Sequence, residues 1–76
     1  MTIEEVKREA AALAAEMTAM DSVPEPTRKR FIAVRAELFQ RGVYDPVLVR
    51  FDSATAPRAS NREIAEELAK VAGSLA

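Results

Sequence analysis

The chain contains 76 residues, with 11 Lys and Arg against 12 Asp and Glu, and it has neither cysteine nor histidine. The length predicts a single domain, residues 1–76, with a small stability margin, because a chain of this size buries only about 60% of its unfolded surface. The composition excludes disulfides and the thiolate and imidazole groups on which most zinc sites and nucleophilic catalysis depend. A net charge of −1 also argues against general binding of polyanions.

No apolar run approaches the roughly 20 residues of a membrane span, and the acidic start of the sequence lacks the early positive charge of a signal peptide. The absence of cysteine suits a reducing compartment. We therefore expect no membrane association and a cytoplasmic location.

The first predicted helix covers residues 2–20. Thr2 and Glu5 have the spacing of a capping box. Apolar residues then recur every three or four positions, at Ile3, Val6, Ala10, Leu13, Met17 and Met20. This period predicts one apolar face along the helix. Such a heptad-like seam fits either the core of a bundle or self-association, and the last helix has a similar seam.

The second predicted helix covers residues 26–41, after a break that Pro24 and Pro26 bracket. One side carries Phe31, Val34 and Leu38. A second row is expected to widen that apolar face, namely Ile32, Ala36 and Phe39. Gly42 follows directly and is a good residue to end the helix, because it adopts positive φ without strain.

The segment at residues 43–52 is ambiguous. Asp45 followed by Pro46 is typical of an N-cap and a first helical position, which favours a short helix over residues 45–52. The run VLVRF at residues 47–51 is rich in β-branched residues and also fits a strand. We prefer the helix, because a lone strand has no obvious partner in a helical chain.

Residues 53–59 contain small residues and a proline and are expected to form a loop. The last predicted helix covers residues 60–74, with a second capping box at Ser60 and Glu63. Its apolar stripe is Ile64, Leu68, Val71 and Leu75. The sequence therefore predicts an all-α fold, a small helical bundle of three longer helices plus one short helix.

Residues 60–68, SNREIAEEL, resemble the start of the helix-turn-helix of LuxR-type response regulators. In that family, a turn and a recognition helix follow this segment. Residues 69–76 leave no room for a recognition helix, so we carry over no DNA-contacting residue. The same nine residues are also what a capping box followed by good helix formers produces. No family resemblance extends over the length of the chain.

The side chains that remain for chemistry are carboxylates. Asp45 and Asp52 are interpreted as an N-cap and a turn residue rather than an acid–base pair. The acidic residues of the last helix are interpreted as a solvated face, with Lys70 pairing with Glu66 one turn earlier. We expect no catalytic residue, no metal and no cofactor, and therefore no enzyme.

A basic cluster, Arg28, Lys29 and Arg30, lies at the start of the second predicted helix. Residues 21–41 carry five basic and three acidic side chains, whereas residues 1–20 carry two basic and four acidic ones. Three cations at a helix N-terminus oppose the helix dipole, which hints at an external anion or an acidic partner. The alternative is a solvated face that the acidic first helix partly neutralises.

Tyr44, Arg50 and Arg58 are further candidates for partner binding, because aromatic and arginine side chains dominate interface hot spots. In the alternative interpretation, Tyr44 and Phe51 complete the core. The sequence thus predicts a small non-catalytic helical interaction module: a protein–protein adaptor, a regulatory subunit or a self-associating domain, with a homodimer as one form. The second hypothesis is a nucleic-acid-binding regulator that uses the basic cluster.

Overall fold

The structure, a computed structural model, describes residues 1–52 and 59–75. It contains four helices: α1 (Ile3–Thr18), α2 (Glu25–Gln40), α3 (Pro46–Val49) and α4 (Asn61–Ser74). The all-α prediction is confirmed, and these two ranges contain no strand. The ambiguous segment forms the short helix, with a turn after it. The predicted loop at residues 53–59 lies outside the described residues except for Ala59.

Both predicted capping boxes are present. The hydroxyl of Thr2 accepts the backbone N–H of Glu5 at 3.2 Å, and the Glu5 carboxylate accepts the N–H of Thr2 at 3.0 Å. Ser60 and Glu63 repeat this arrangement at the start of α4, at 3.1 and 3.5 Å. Reciprocal bonds of this kind satisfy backbone donors that the first turn of a helix leaves without partners.

The core lies mainly between α1 and α4, which pack against each other along much of their length. The middle of the α1 stripe is fully buried, at Val6, Ala10, Leu13 and Met17, whereas its ends, Ile3 and Met20, are half-buried. Ile64 and Leu68 of α4 are also fully buried. The α1 seam is therefore bundle core, and its central side chains are not available for self-association.

Only one of the two apolar rows on α2 joins this core. Phe31, Val34 and Leu38 are at most 1% exposed. In the second row, Ile32 is half-buried, Ala36 is exposed and Phe39 is 65% exposed. The expectation that this row widens the core face is therefore wrong for Ala36 and Phe39. The second row is rotated by roughly 100° from the first, so when the first row faces α1 and the core, Ala36 and Phe39 face outward.

α2 ends in a Schellman motif at Gly42, whose φ is +80°. The N–H of Gly42 donates to the carbonyl of Phe39 at 3.0 Å, and the N–H of Val43 donates to the carbonyl of Leu38 at 2.9 Å. The predicted glycine stop is confirmed. The Arg41 side chain pairs with Glu37 at 3.8 Å and donates to the carbonyl oxygen of Met1, which ties the N-terminus to the end of α2.

α3 is short but firmly placed. The Asp45 carboxylate accepts the N–H groups of Val47 and Leu48 at 2.8 and 3.2 Å, as the N-cap prediction requires. Leu48 is 2% exposed and anchors the turn in the core. Within residues 1–52 and 59–75, no helix combines the length and the apolar character needed to cross a membrane.

Candidate functional site

Arg30 of the basic cluster is held by α1. Its Nε donates to Glu9 at 2.6 Å, and its two terminal nitrogens donate to Glu16 at 2.9 and 3.0 Å. These hydrogen bonds raise the pKa of Arg30 and lower the pKa of Glu16. The acidic first helix therefore neutralises this cation, as the solvated-face alternative anticipated.

The other two members of the cluster point elsewhere, since consecutive helical residues are roughly 100° apart. The guanidinium of Arg28 lies 5.6 Å from the centre of the Phe51 ring. Lys29 is exposed and enters none of the ion pairs in the described ranges. The three consecutive cations do not form one basic face.

The two aromatic residues near α3 have different environments. Phe51 stacks on the buried Phe31, with ring centres 4.4 Å apart and an interplanar angle of 39°, so it completes the core as the alternative interpretation proposed. Tyr44 is 64% exposed and does not. Its ring meets that of Phe39 edge to face, at 6.2 Å and 70°. Tyr44 and Phe39 form an exposed aromatic pair.

A bidentate ion pair fastens the turn after α3 to α2. The Nη1 and Nη2 atoms of Arg35 donate to the two carboxylate oxygens of Asp52 at 2.7 and 3.0 Å, and Nη1 also donates to the carbonyl of Leu48 at 3.2 Å. The hydrogen bond from Arg35 is the main cause of a lowered pKa of Asp52. No local sequence pattern identifies Arg35 as a site residue, because its partners lie 13 and 17 positions away.

Between α2 and α3 runs an apolar groove of about 270 Å³, which we call the α2–α3 groove. It is lined by Ile32, Arg35, Ala36, Phe39, Tyr44, Val49 and Asp52. Arg35 and Asp52 satisfy each other, so the remaining lining is almost entirely apolar. The volume lies below the roughly 300–1,000 Å³ of typical small-molecule and cofactor sites, and it suits one or two side chains of a partner.

Of the six predicted site residues, Tyr44 lines this groove. Arg50 is exposed and directly follows Val49, a lining residue. Lys29 lies on α2 three residues before Ile32, on the same outer face. Arg28 and Arg30 are not part of the groove, and Arg58 lies outside the described residues.

The apolar pattern of α2 assigned Ile32, Ala36 and Phe39 to the core face, and no pattern gave a site role to the groove residues Arg35, Val49 and Asp52. A signal that the α2 row is exposed was present. The rows beginning at Phe31 and Ile32 together make an apolar face too wide for one neighbouring layer of a four-helix chain. A surplus apolar row on such a helix is a candidate for an exposed surface.

The carboxylates outside the groove serve local structure. The Asp45 carboxyl raises the pKa of Glu67, and burial adds to this effect. Glu66 pairs with Arg62 at 3.5 Å, so the expected pairing with Lys70 is not the one observed. In the described ranges, no three acidic side chains converge closely enough to hold a metal ion.

A second, larger depression of about 540 Å³, which we call the α1–α4 depression, lies along the outside of α1 and α4. Small residues dominate its lining, among them Ala11, Ala15, Ala69 and Gly73. Its lining contains no aromatic side chain. The α2–α3 groove is therefore the better candidate for specific recognition, because aromatic side chains supply large contact areas at small entropic cost.

In comparisons with known proteins, no family model, curated protein or solved structure matches the chain. The geometry of the α2–α3 groove is therefore the basis on which we infer a function.

Proposed function

We propose that this chain is a small non-catalytic interaction module that binds a segment of another protein in the α2–α3 groove. The observation that carries the proposal is the exposure of Phe39 and Tyr44, at 65% and 64%, beside a preformed apolar groove. Desolvating this pair provides binding free energy of about 25 cal/mol per Å² of apolar surface buried. Such a module suits an adaptor or a regulatory subunit.

Contacts within the chain hold the walls of the α2–α3 groove in place without a partner. Arg35 and Asp52 hold the turn after α3 against α2, and the Schellman motif at Gly42 sets the direction of the chain towards Tyr44. A rigid groove binds more tightly than a flexible one, because less conformational entropy is lost on association. The scaffold thus supports recognition by a preformed surface.

A non-catalytic role fits the engagement of the polar groups. Asp45 caps α3, Asp52 pairs with Arg35, and Glu9 and Glu16 pair with Arg30. Acid–base catalysis needs a titratable group in a cleft with a pKa near the working pH. The α2–α3 groove contains one carboxyl, Asp52, and its pKa is lowered.

Nucleic-acid binding through the basic cluster has weaker support. Arg30 forms ion pairs with two carboxylates, and the guanidinium of Arg28 lies over the Phe51 ring. Of the three cations in the basic cluster, Lys29 is the one that is exposed and forms no ion pair among the described residues. A cytoplasmic location is part of our proposal and depends on the absence of cysteine.

The test compares proteins captured from a lysate of the expressing cells by three immobilised forms of the chain. The groove variant carries Phe39→Glu and Tyr44→Glu. The control variant carries Ala11→Glu and Ala15→Glu, which place the same charge on the α1–α4 depression. Far-UV circular dichroism and urea unfolding should first establish that both variants are folded.

We expect a protein that the wild type and the control variant capture in equal amounts and that the groove variant loses. Identical capture by all three forms would contradict the proposal. Loss of the captured protein by the control variant alone would move the binding surface to the α1–α4 depression.

A further inference from the structure

The structure also restricts the shape of a segment that fills the α2–α3 groove. The groove is walled by helices and by a turn, whose backbone groups bond within their own elements. It presents no strand edge to which an extended peptide could add itself. The groove accepts one or two side chains and offers the backbone of the segment no hydrogen-bond partners. An α-helix satisfies its own backbone groups and places the side chains of successive turns on one face, which suits such a groove.

The charges around the groove restrict the composition of that segment. Arg35 and Asp52 neutralise each other at 2.7 Å. Lys29 lies three residues before Ile32 on the same face of α2, and Arg50 directly follows Val49; both are exposed, and neither forms an ion pair within the described ranges. Asp45, next to Tyr44, is engaged as the N-cap of α3. Residues 53–58, SATAPR, contain no acidic side chain that could neutralise Arg50. Glu25 also lies on α2, but one turn further from the groove than Lys29.

We propose that the occupant of the α2–α3 groove is an amphipathic helix of another protein, with apolar residues on one face and acidic residues on its flanks. This inference rests on the proposed function. The apolar face lies against Ile32, Phe39 and Tyr44, and the acidic flanks meet Lys29 and Arg50. Opposite charges at the rim set orientation and partner choice more than they set affinity.

A second copy of the chain does not fit this description. A two-fold symmetric contact would set the same groove against itself and bring the Lys29 and Arg50 rims of both copies together. Like charges that face each other across an interface are unfavourable. The amphipathic stripes of α1 and α4 are buried in the chain's own core.

The probe is a displayed library of random peptides of about 16 residues, long enough for four helical turns. It is selected against the wild type, the groove variant (Phe39→Glu with Tyr44→Glu) and a rim variant (Lys29→Glu with Arg50→Glu). A fourth form, Arg8→Glu with Lys70→Glu, changes the net charge by the same amount away from the groove lining. Enriched sequences are read, and the affinity of the leading peptide is measured by fluorescence anisotropy.

We expect enriched peptides with apolar residues at helical spacing and with Asp and Glu on the flanks. The groove variant should lose them. The rim variant should bind the leading peptide about tenfold more weakly, and less salt-dependently, whereas the remote charge variant should bind it like the wild type. Light scattering should show a monomer at the concentrations used.

Three outcomes would overturn the inference. Enriched peptides that need Phe39 and Tyr44 but show no excess of acidic residues, or that are rich in proline, would remove the acidic helix and leave the proposed function intact. A dimer that the groove variant abolishes would make a second copy the occupant. The absence of any peptide enriched over the groove variant would remove both this inference and peptide binding in the groove.

Discussion

The guanidinium of Arg35 in α2 and the carboxylate of Asp52 after α3 form two parallel hydrogen bonds, of 2.7 and 3.0 Å. This bidentate geometry is the strongest form of an arginine–carboxylate pair. Arg35 also lies 5.7 Å from the centre of the Phe31 ring, between the core and the α2–α3 groove. The pair joins residues that no local pattern connects, and it keeps Val49 on the wall of the groove.

Replacing Asp52 by Asn should lower the free energy of unfolding by about 1 kcal/mol, because the partly buried Arg35 loses its charged partner. Urea unfolding followed by circular dichroism measures the change. Asp21→Asn is the matched control, since this exposed side chain enters no ion pair among the described residues. An equal effect of the two substitutions would show that the Arg35–Asp52 pair contributes nothing specific.

The stability difference between the wild type and the Asp52→Asn variant should depend on pH. Arg35 lowers the pKa of Asp52 in the folded chain, so the pair adds stability at pH values above the unfolded pKa of about 3.9. This contribution is lost as the pH falls through the lower folded pKa. The difference between wild type and Asp52→Asn should therefore be constant from about pH 5 to 7 and shrink below about pH 4. A stability difference that stays constant down to about pH 2 would contradict this prediction.

Two phenylalanines of α2 provide a direct comparison of core and surface. Phe31→Ala should cost about 3 kcal/mol or more and leave the domain largely unfolded, because Phe31 is fully buried against Phe51. Phe39→Ala should change the free energy of unfolding by less than about 0.5 kcal/mol, since the side chain is 65% exposed. Thermal and urea unfolding measure both. A large loss of stability in Phe39→Ala would mean that this side chain serves the fold rather than a partner.

The two glycines should respond to alanine with opposite signs. A Cβ at either position meets no atom within 4 Å, so sterics between residues do not decide the outcome. Gly42→Ala should destabilise the chain by about 1 kcal/mol, because its φ of +80° is strained for alanine. Gly73→Ala should stabilise it by about 0.5 kcal/mol, because alanine favours the helix near the end of α4. Urea midpoints that move in the same direction for both variants would contradict this argument.

Alanine substitutions of Arg30 and Lys29 should have different effects on stability, because Arg30 forms ion pairs with α1 and Lys29 forms none among the described residues. Arg30→Ala should lower stability by only about 0.5 kcal/mol at low salt, because solvent screens the ion pairs of a side chain that is 39% exposed. The effect should diminish in 1 M salt, where the Debye length is about 3 Å. Lys29→Ala should leave stability unchanged, and unfolding curves at both salt concentrations test the pair.

Much of the fold could be predicted because its signals are local. The capping boxes at Thr2 and Ser60, the Asp45 N-cap and the Gly42 stop each involve residues within five positions of one another. The three- and four-residue periods of α1 and α4 identified their buried faces for the same reason. The candidate site was predicted only in part: Tyr44 was found in the groove, and Arg50 and Lys29 beside it, whereas Phe39 was assigned to the core.

By itself, then, the sequence determined the three longer helices to within about two residues at each end, and that the chemistry lacks thiols and imidazoles. It favoured a short helix after Asp45 without deciding between helix and strand. Tertiary structure decided which of two equally apolar rows of α2 is buried, leaving Phe31 inside and Phe39 outside. It also decided the partners of Arg30 and Arg35, which lie 14 to 21 positions away in Glu9, Glu16 and Asp52. Helix propensity and capping are short-range, whereas burial and ion pairing depend on the space that the other helices leave.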